Sequence, residues 1–251
     1  MIEINKISKS FNKKKILKEI TIKIEDNNIC CLLGKNGIGK STLINIITQT
    51  LKQDTGEIII NNVNFNKDSS LIKQKIGLAN DSDDLIQELS GFQFLTFRCL
   101  IFSIPKILIE ERIKSLVNYF FDDTDDIHKN ISSYSSGMKM KLRIVASLLH
   151  VPEILILDEP FANLDIIAAE KLVLLLNSFS KIGGNIVIVS SHDLLYVEKI
   201  ATQLCVIDKT EIIFDGSFED FTKNYSSKID QSLLNLINPE KITTKNLEWL
   251  I

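Results

Sequence analysis

Residues 29–51 read ICCLLGKNGIGKSTLINIITQTL, and this stretch decides the fold. An apolar strand run is followed by a loop punctuated by Gly34, Gly37 and Gly39 and closed by Lys40-Ser41-Thr42. A helix-period run with Leu43, Ile44, Ile46, Ile47 and Leu51 then follows. Glycines let a backbone turn tightly and aim successive N–H groups inward, and a helix starting at the same point adds its positive end. The loop Gly34-Lys35-Asn36-Gly37-Ile38-Gly39 with Lys40, Ser41 and Thr42 therefore suits a phosphate chain. Lys40 is placed to reach the outer phosphates as a point charge, and the Ser41 hydroxyl to hold Mg²⁺.

Two later strand runs belong to the same sheet. EILILDEP (153–160) carries a continuous apolar run, the pattern of a parallel strand buried on both faces, and ends in Asp158 and Glu159. Open α/β sheets put their ligands at that end of a strand. Two adjacent carboxylates there cost several kcal/mol unless a cation or a water network uses them. One acid suits Mg²⁺ through its water shell, and the other suits a water attacking a phosphate. FANLD (161–165) then makes a turn into a helix expected from about Ala168 to Lys181, which Gly183-Gly184 end. NIVIVSSHD (185–193) supplies another buried strand with His192 just past it; an isolated histidine in that position is ordinarily a surface residue.

Upstream, IEINKIS and ILKEITIKI are strand-like, the second with Ile20, Ile22 and Ile24 alternating with polar residues. Phe11 stands between them before a lysine-rich loop, either as a platform for stacking a nucleobase or as a cap on the sheet edge. Thr55-Gly56 is read as a turn into EIII and NVNF, short strands that complete an antiparallel layer. A strand at Ile76–Ala79 runs into Asp81, Asp83 and Asp84, a solvated loop from which one carboxylate can turn toward a metal. From Gly91 to about Leu149 the β-pattern disappears, which predicts an inserted helical subdomain over about 85–150. Within it, Phe92–Ile104 is strongly apolar and aromatic, DDTDD (122–126) reads as a polar turn, and Ser135-Ser136-Gly137 precedes a long amphipathic helix. LCVIDK and EIIFDG form a hairpin or sheet-edge pair, and 221–251 is a polar, weakly helical tail ending in Trp249, Leu250 and Ile251, expected to pack on the body.

The 251 residues are 45% hydrophobic, enough for a substantial core, and the net charge of −3 with scattered lysines offers no basic stripe for nucleic acid. The four cysteines form no metal-ligand spacing; Cys30 and Cys31 read as small buried hydrophobes of a reducing compartment. Met1 leads straight into a strand pattern, which predicts no signal peptide. No uncharged apolar run approaches the roughly 18–20 residues that cross a bilayer, so membrane spans would come from another chain.

Taken in this order, the motifs resemble those of the ATP-binding subunits of ABC transporters over about residues 2–220. GKNGIGKST resembles the Walker A loop, YSSGM the signature loop, ILILDEP the Walker B strand with its following glutamate, and ANLD the D-loop; His192 matches the switch histidine. The resemblance implies an α/β P-loop NTPase core over 1–220, with a mostly parallel sheet, an antiparallel β layer and the inserted helical subdomain. It implies ATP and Mg²⁺, with Glu159, His192 and Lys40 in catalysis and Ser41, Asp81 and Asp158 toward the metal. Phe11 falls where the family stacks adenine, and Ser135 and Gly137 fall where it meets phosphate. The signature departs from the family at Ser136 and Met138, and Asp81 stands where the family has a glutamine, a departure resembling a subgroup that serves export-type permeases.

The implied partners are a second copy of this chain or a similar subunit, and an integral membrane permease, with no nucleic acid. The implied location is cytoplasmic, on the inner face of the membrane. Phe92–Ile104 is either the groove receiving a permease helix or simple core. The competing reading is a soluble ABC-type ATPase of a non-transport assembly.

Overall fold

The computed structural model describes residues 1–65, 72–80, 85–225, 229, 230, 233 and 236. The chain opens with β1 (Ile2–Phe11), β2 (Lys14–Ile24) and β3 (Ile29–Leu33), enters α1 (Lys40–Ile47), and continues through β4 (Thr55–Ile60), β5 (Val63–Asn64) and β6 (Ile76–Ala79). Then come α2 (Gly91–Ile101), α3 (Lys106–Phe120), two short 3₁₀ turns (Thr124–His128 and Ile131–Ser133) and α4 (Ser136–Leu148). β7 (Ile154–Asp158), α5 (Ile166–Phe179), β8 (Ile186–Ser190), α6 (Leu194–Ile200), β9 (Gln203–Asp208), β10 (Glu211–Ser217) and α7 (Phe218–Tyr225) complete the order.

The strands form two sheets. A six-stranded sheet runs β10-β9-β3-β8-β7-β6, parallel throughout except for the β9–β10 edge hairpin. A four-stranded antiparallel sheet runs β2-β1-β4-β5. Alternation sends Cys30 and Leu32 of β3 to one face and Ile29, Cys31 and Leu33 to the other, and each face has its own core. The first core joins the main sheet to α1 and the antiparallel sheet, through Leu43, Ile44, Ile46 and Ile47 and through Ile2, Ile4, Ile20, Ile22 and Ile58. The second takes the apolar faces of α2–α6. Full burial of an Ile, Leu or Val side chain contributes about 1.5–3 kcal/mol. β3 and β8 are therefore held in place by every residue they contain.

Several local expectations shift by a few residues. Phe11 is not in a loop: it ends β1 opposite Lys14, and Asn12 and Lys13 make the turn with φ of 49° and 67°. Thr55-Gly56 is strand rather than turn; Gly56 has φ +90° and sits at a register shift against β1, where a Cβ would come 2.5 Å from the carbonyls of Asn5 and Lys6. The helix after Asp165 starts two residues early, because the Asp165 side chain caps it by accepting from Ala168 N–H at 2.8 Å. DDTDD is a 3₁₀ turn capped by Asp123. All four cysteines are buried, and burial pushes their thiols up. Past α7, Ile229 is buried and Leu233 and Leu236 pack on the second core; Trp249, Leu250 and Ile251 lie outside the described residues.

One titratable group is part of the packing. The His150 ring stacks on Phe102, with centroids 3.8 Å apart and planes 8° from parallel, while the Arg98 guanidinium sits 5.4 Å from the same Phe102 ring. Its Nε2–H donates to the Ile76 carbonyl at 3.1 Å, and its Nδ1 is buried without a partner. Burial pushes His150 down from 6.5 to about 4; Arg98 adds to the drop and the Ile76 bond opposes it. Unfolded, the ring takes up a proton near pH 6.5 that the folded chain refuses until about 4, so stability is present above 6.5 and lost as pH falls through that window. His150→Phe keeps the stack and deletes the titration. By urea unfolding the variant is expected to be about 1 kcal/mol less stable near pH 7.5, from the lost bond to Ile76, and to gain on the native chain as pH is lowered to 5. A difference that stays constant with pH counts against this.

Candidate functional site

β3, β7 and β8 are neighbours in one parallel register, so their carboxyl ends open on the same edge. Leu32, Ser190 and Asp158 lie level across the three strands. The loop after β3 turns at Gly39, which has φ +122° and packs where a Cβ would stand 2.9 Å from Leu17 and 3.2 Å from Ile16. Only glycine fits. That contact brings β2 and the β1–β2 hairpin against the loop, and Phe11, 45% exposed, stands at the hairpin's end with the Lys9 ammonium 5.4 Å from its ring. The ring is therefore open to solvent rather than packed as an edge cap.

Lys40 opens α1 and is buried; its ammonium donates to the Gly34 carbonyl at 2.9 Å and lies 3.4 Å from Glu159 Oε1. Ser41 is exposed on the same first turn, with Thr42 half-buried beside it. Asp158 ends β7, and its Oδ1 accepts from the Ser190 hydroxyl. Glu159 has φ +50°, a left-handed conformation for a side chain that gains nothing from it locally. Its N–H is held by the carbonyl and the hydroxyl of Ser190 at 3.1 and 3.0 Å. Its Oε2 accepts from His192 N–H at 3.2 Å and from the His192 ring at 2.8 Å. A carboxylate only accepts, so Nδ1 carries the proton in this bond and Nε2 is the ring's other nitrogen. Glu159 Oε1 is buried and, beyond its ion pair with Lys40, accepts no hydrogen bond.

Lys40, Asp158, Glu159 and His192 are thus brought to one edge of the sheet, and Asp81 lies outside the described residues. Ser135 and Gly137 join this edge indirectly. Ser135 caps α4 by accepting from Met138 N–H at 3.2 Å, and a Cβ on Gly137 would meet the Asn163 carbonyl at 2.6 Å, so α4 starts directly against the loop that follows β7. Lys141, one helical turn on, is buried and pairs with Asp165 at 2.8 Å and Asp122 at 3.3 Å. Burial works against its charge, but the two carboxylates outweigh it and raise its pKa, while Lys141 holds Asp165 below its ordinary value.

Two residues of this site escaped the sequence reading. Ser190 had a faint signal, a hydroxyl at the end of the apolar run IVIV; Lys141 had none, because a lysine in an amphipathic helix reads as solvent-facing.

Chemically, the loop and the α1 N-terminus form an anion site with a cation in it, and a carboxylate pair stands opposite. Among the described residues no group of three or more His, Cys, Asp and Glu is arranged to hold a metal. Ser41 and Asp158 fit Mg²⁺ of the kind that takes one or two protein oxygens and completes its shell with phosphate and water.

The chain matches the family model for ABC transporters over residues 17–162. It is 31% identical over 238 residues to the methionine import ATP-binding protein MetN of Clostridium acetobutylicum, covering 91% of this chain and 72% of that protein. It is 30% identical over 220 residues to the linearmycin resistance ATP-binding protein LnrL of Bacillus subtilis, covering 88% and 70%. Among solved structures, an ATP-binding subunit of an ABC transporter superposes with a TM-score of 0.85 at 23% identity, covering 94% of this chain and 99% of that one. A dimeric ATP-binding cassette in a post-hydrolysis state, bound to ADP and Pi, gives 0.79 at 22%, covering 86% and 98%. With a family match over more than half its length and such relatives along most of it, the chain belongs to the ABC transporter family as an ATP-binding subunit, an ATP-hydrolysing P-loop protein.

Proposed function

We propose that two copies of this chain, or this chain and a similar subunit, close around two ATP molecules and drive a separately encoded membrane permease of the export type. The observation that carries the reading is Glu159, whose carboxylate stands between the loop lysine and the switch histidine. A phosphate on the loop competes for Lys40 with the Gly34 carbonyl and with Glu159. Once Lys40 turns to the phosphate, Glu159 Oε1 is left to accept a proton from a water and orient it for attack. His192, with Nδ1–H on Glu159, contacts the γ-phosphate through Nε2. Ser41 and Asp158 would hold Mg²⁺, which would supply charge neutralisation on the phosphates. Phe11 stacks the adenine.

Dimerisation follows from the second anion site. The start of α4 offers Ser135, the N–H groups around Gly137 and a helix dipole, while this chain's own loop already serves its own phosphates. A two-fold partner uses it. Ile166, Ile167 and Leu195, exposed in the first turns of α5 and α6, supply apolar surface for that partner to cover. The permease docks on α2, whose Phe97, Leu100 and Ile101 are exposed while Phe94, Leu95 and Cys99 serve the core. No helix among the described residues is long and apolar enough to cross a membrane. Export is supported by the linearmycin resistance relative and by Asp81 in place of glutamine; the methionine import relative favours the opposite direction.

Glu159→Gln is expected to bind ATP within about threefold of the native affinity and to lose at least ~100-fold in kcat, the range of a general base. Near-native turnover removes Glu159 from its role. Lys40→Ala is expected to weaken ATP binding about tenfold or more, the loss of one charge-assisted contact; unchanged affinity counts against the loop. The partner is tested by tagging the Glu159→Gln chain in its own cell, solubilising membranes in mild detergent with ATP, and identifying co-purified proteins by mass spectrometry. A polytopic membrane protein in near-equal amount names the permease, whereas recovery only with soluble partners replaces the transporter reading by the non-transport ATPase.

A further inference from the structure

We infer that Ser190 is a positioning residue for hydrolysis, one hydroxyl that sets the places of both Asp158 and Glu159. Ser190 is fully buried at the end of β8 and lies directly opposite Asp158 in the parallel register. The roles of its hydroxyl are fixed by its neighbours. Glu159 N–H can only donate, so Ser190 Oγ accepts there at 3.0 Å; its own proton is then available to the Asp158 carboxylate, which can only accept. The first bond, with the parallel one to the Ser190 carbonyl, keeps Glu159 at its positive φ and aims its side chain at Lys40 and His192. The second bond fixes the Asp158 carboxylate and leaves its other oxygen for the metal side. A fully buried serine thereby determines the spacing between the acid that faces Mg²⁺ and the acid that faces the attacking water.

The inference rests on Asp158 and Glu159 as the working pair, so Glu159→Gln is measured alongside. Ser190→Ala removes the hydroxyl but keeps the backbone carbonyl that holds Glu159 N–H, so the fold survives. Its kcat is expected to fall tenfold or more, while KM for ATP and the equilibrium affinity for a fluorescent ATP analogue stay within threefold. Ser190→Thr and Ser190→Val add equal bulk and differ in the hydroxyl alone; Thr is expected to retain at least tenfold more kcat than Val. Glu159→Gln inactive with Ser190→Ala within threefold of native overturns the role of Ser190, as do Thr and Val variants that fall alike. A Glu159→Gln that turns over like the native chain overturns the underlying pair.

Discussion

Burial of the central strands on both faces is the constraint from which the rest of this molecule follows. β3 and β8 expose no residue, and β7 exposes only its last, so their backbone groups must pair with one another and with the flanking β6 and β9. Pairing must then be complete and in register, and a slip by one residue would exchange the two cores. Complete parallel pairing brings the three carboxyl ends level. The glycine loop, the two acids and His192 are delivered to one edge as a by-product of satisfying the sheet.

What the sheet delivers, the side chains then adjust. The chain leaves β7 through a left-handed glutamate, a conformation that costs about 1 kcal/mol or more for a non-glycine residue. It is retained because Ser190 and His192 hold it from outside the strand. The same arrangement makes Glu159 the meeting point of a cation from α1 and a ring from the loop between β8 and α6, so its environment responds to what either of them binds.

A second linkage crosses from the sheet edge to the helical half. Gly137 against Asn163 and Lys141 against Asp165 join the start of α4 to the loop after β7, and Asp122 carries the tie on to the end of α3. Lys141 pairs with carboxylates that are themselves largely exposed, so its worth lies less in stability than in fixing the angle between these elements. The start of α4 and the loop after β7 are therefore tied to each other at two points.

The sequence alone determined the elements that depend on local chemistry: the glycine loop, the apolar strands, the acids that end one of them, and the change of periodicity that marks the helices between β6 and β7. These are legible because backbone freedom and hydrophobic period act over a few residues. Phe11 was legible as a residue but not as a position, since a two-residue turn with Asn12 and Lys13 at positive φ extends both strands to their limit. Ser190 and Lys141 were decided by tertiary structure. Neither has a sequence neighbour that gives it meaning: Ser190 acts on residues 31 and 32 positions away through strand register, and Lys141 acts on Asp165 across a helix–loop contact. Register and packing angle are properties of the whole sheet, set by the sum of burial on both faces, and no short stretch of the chain carries them.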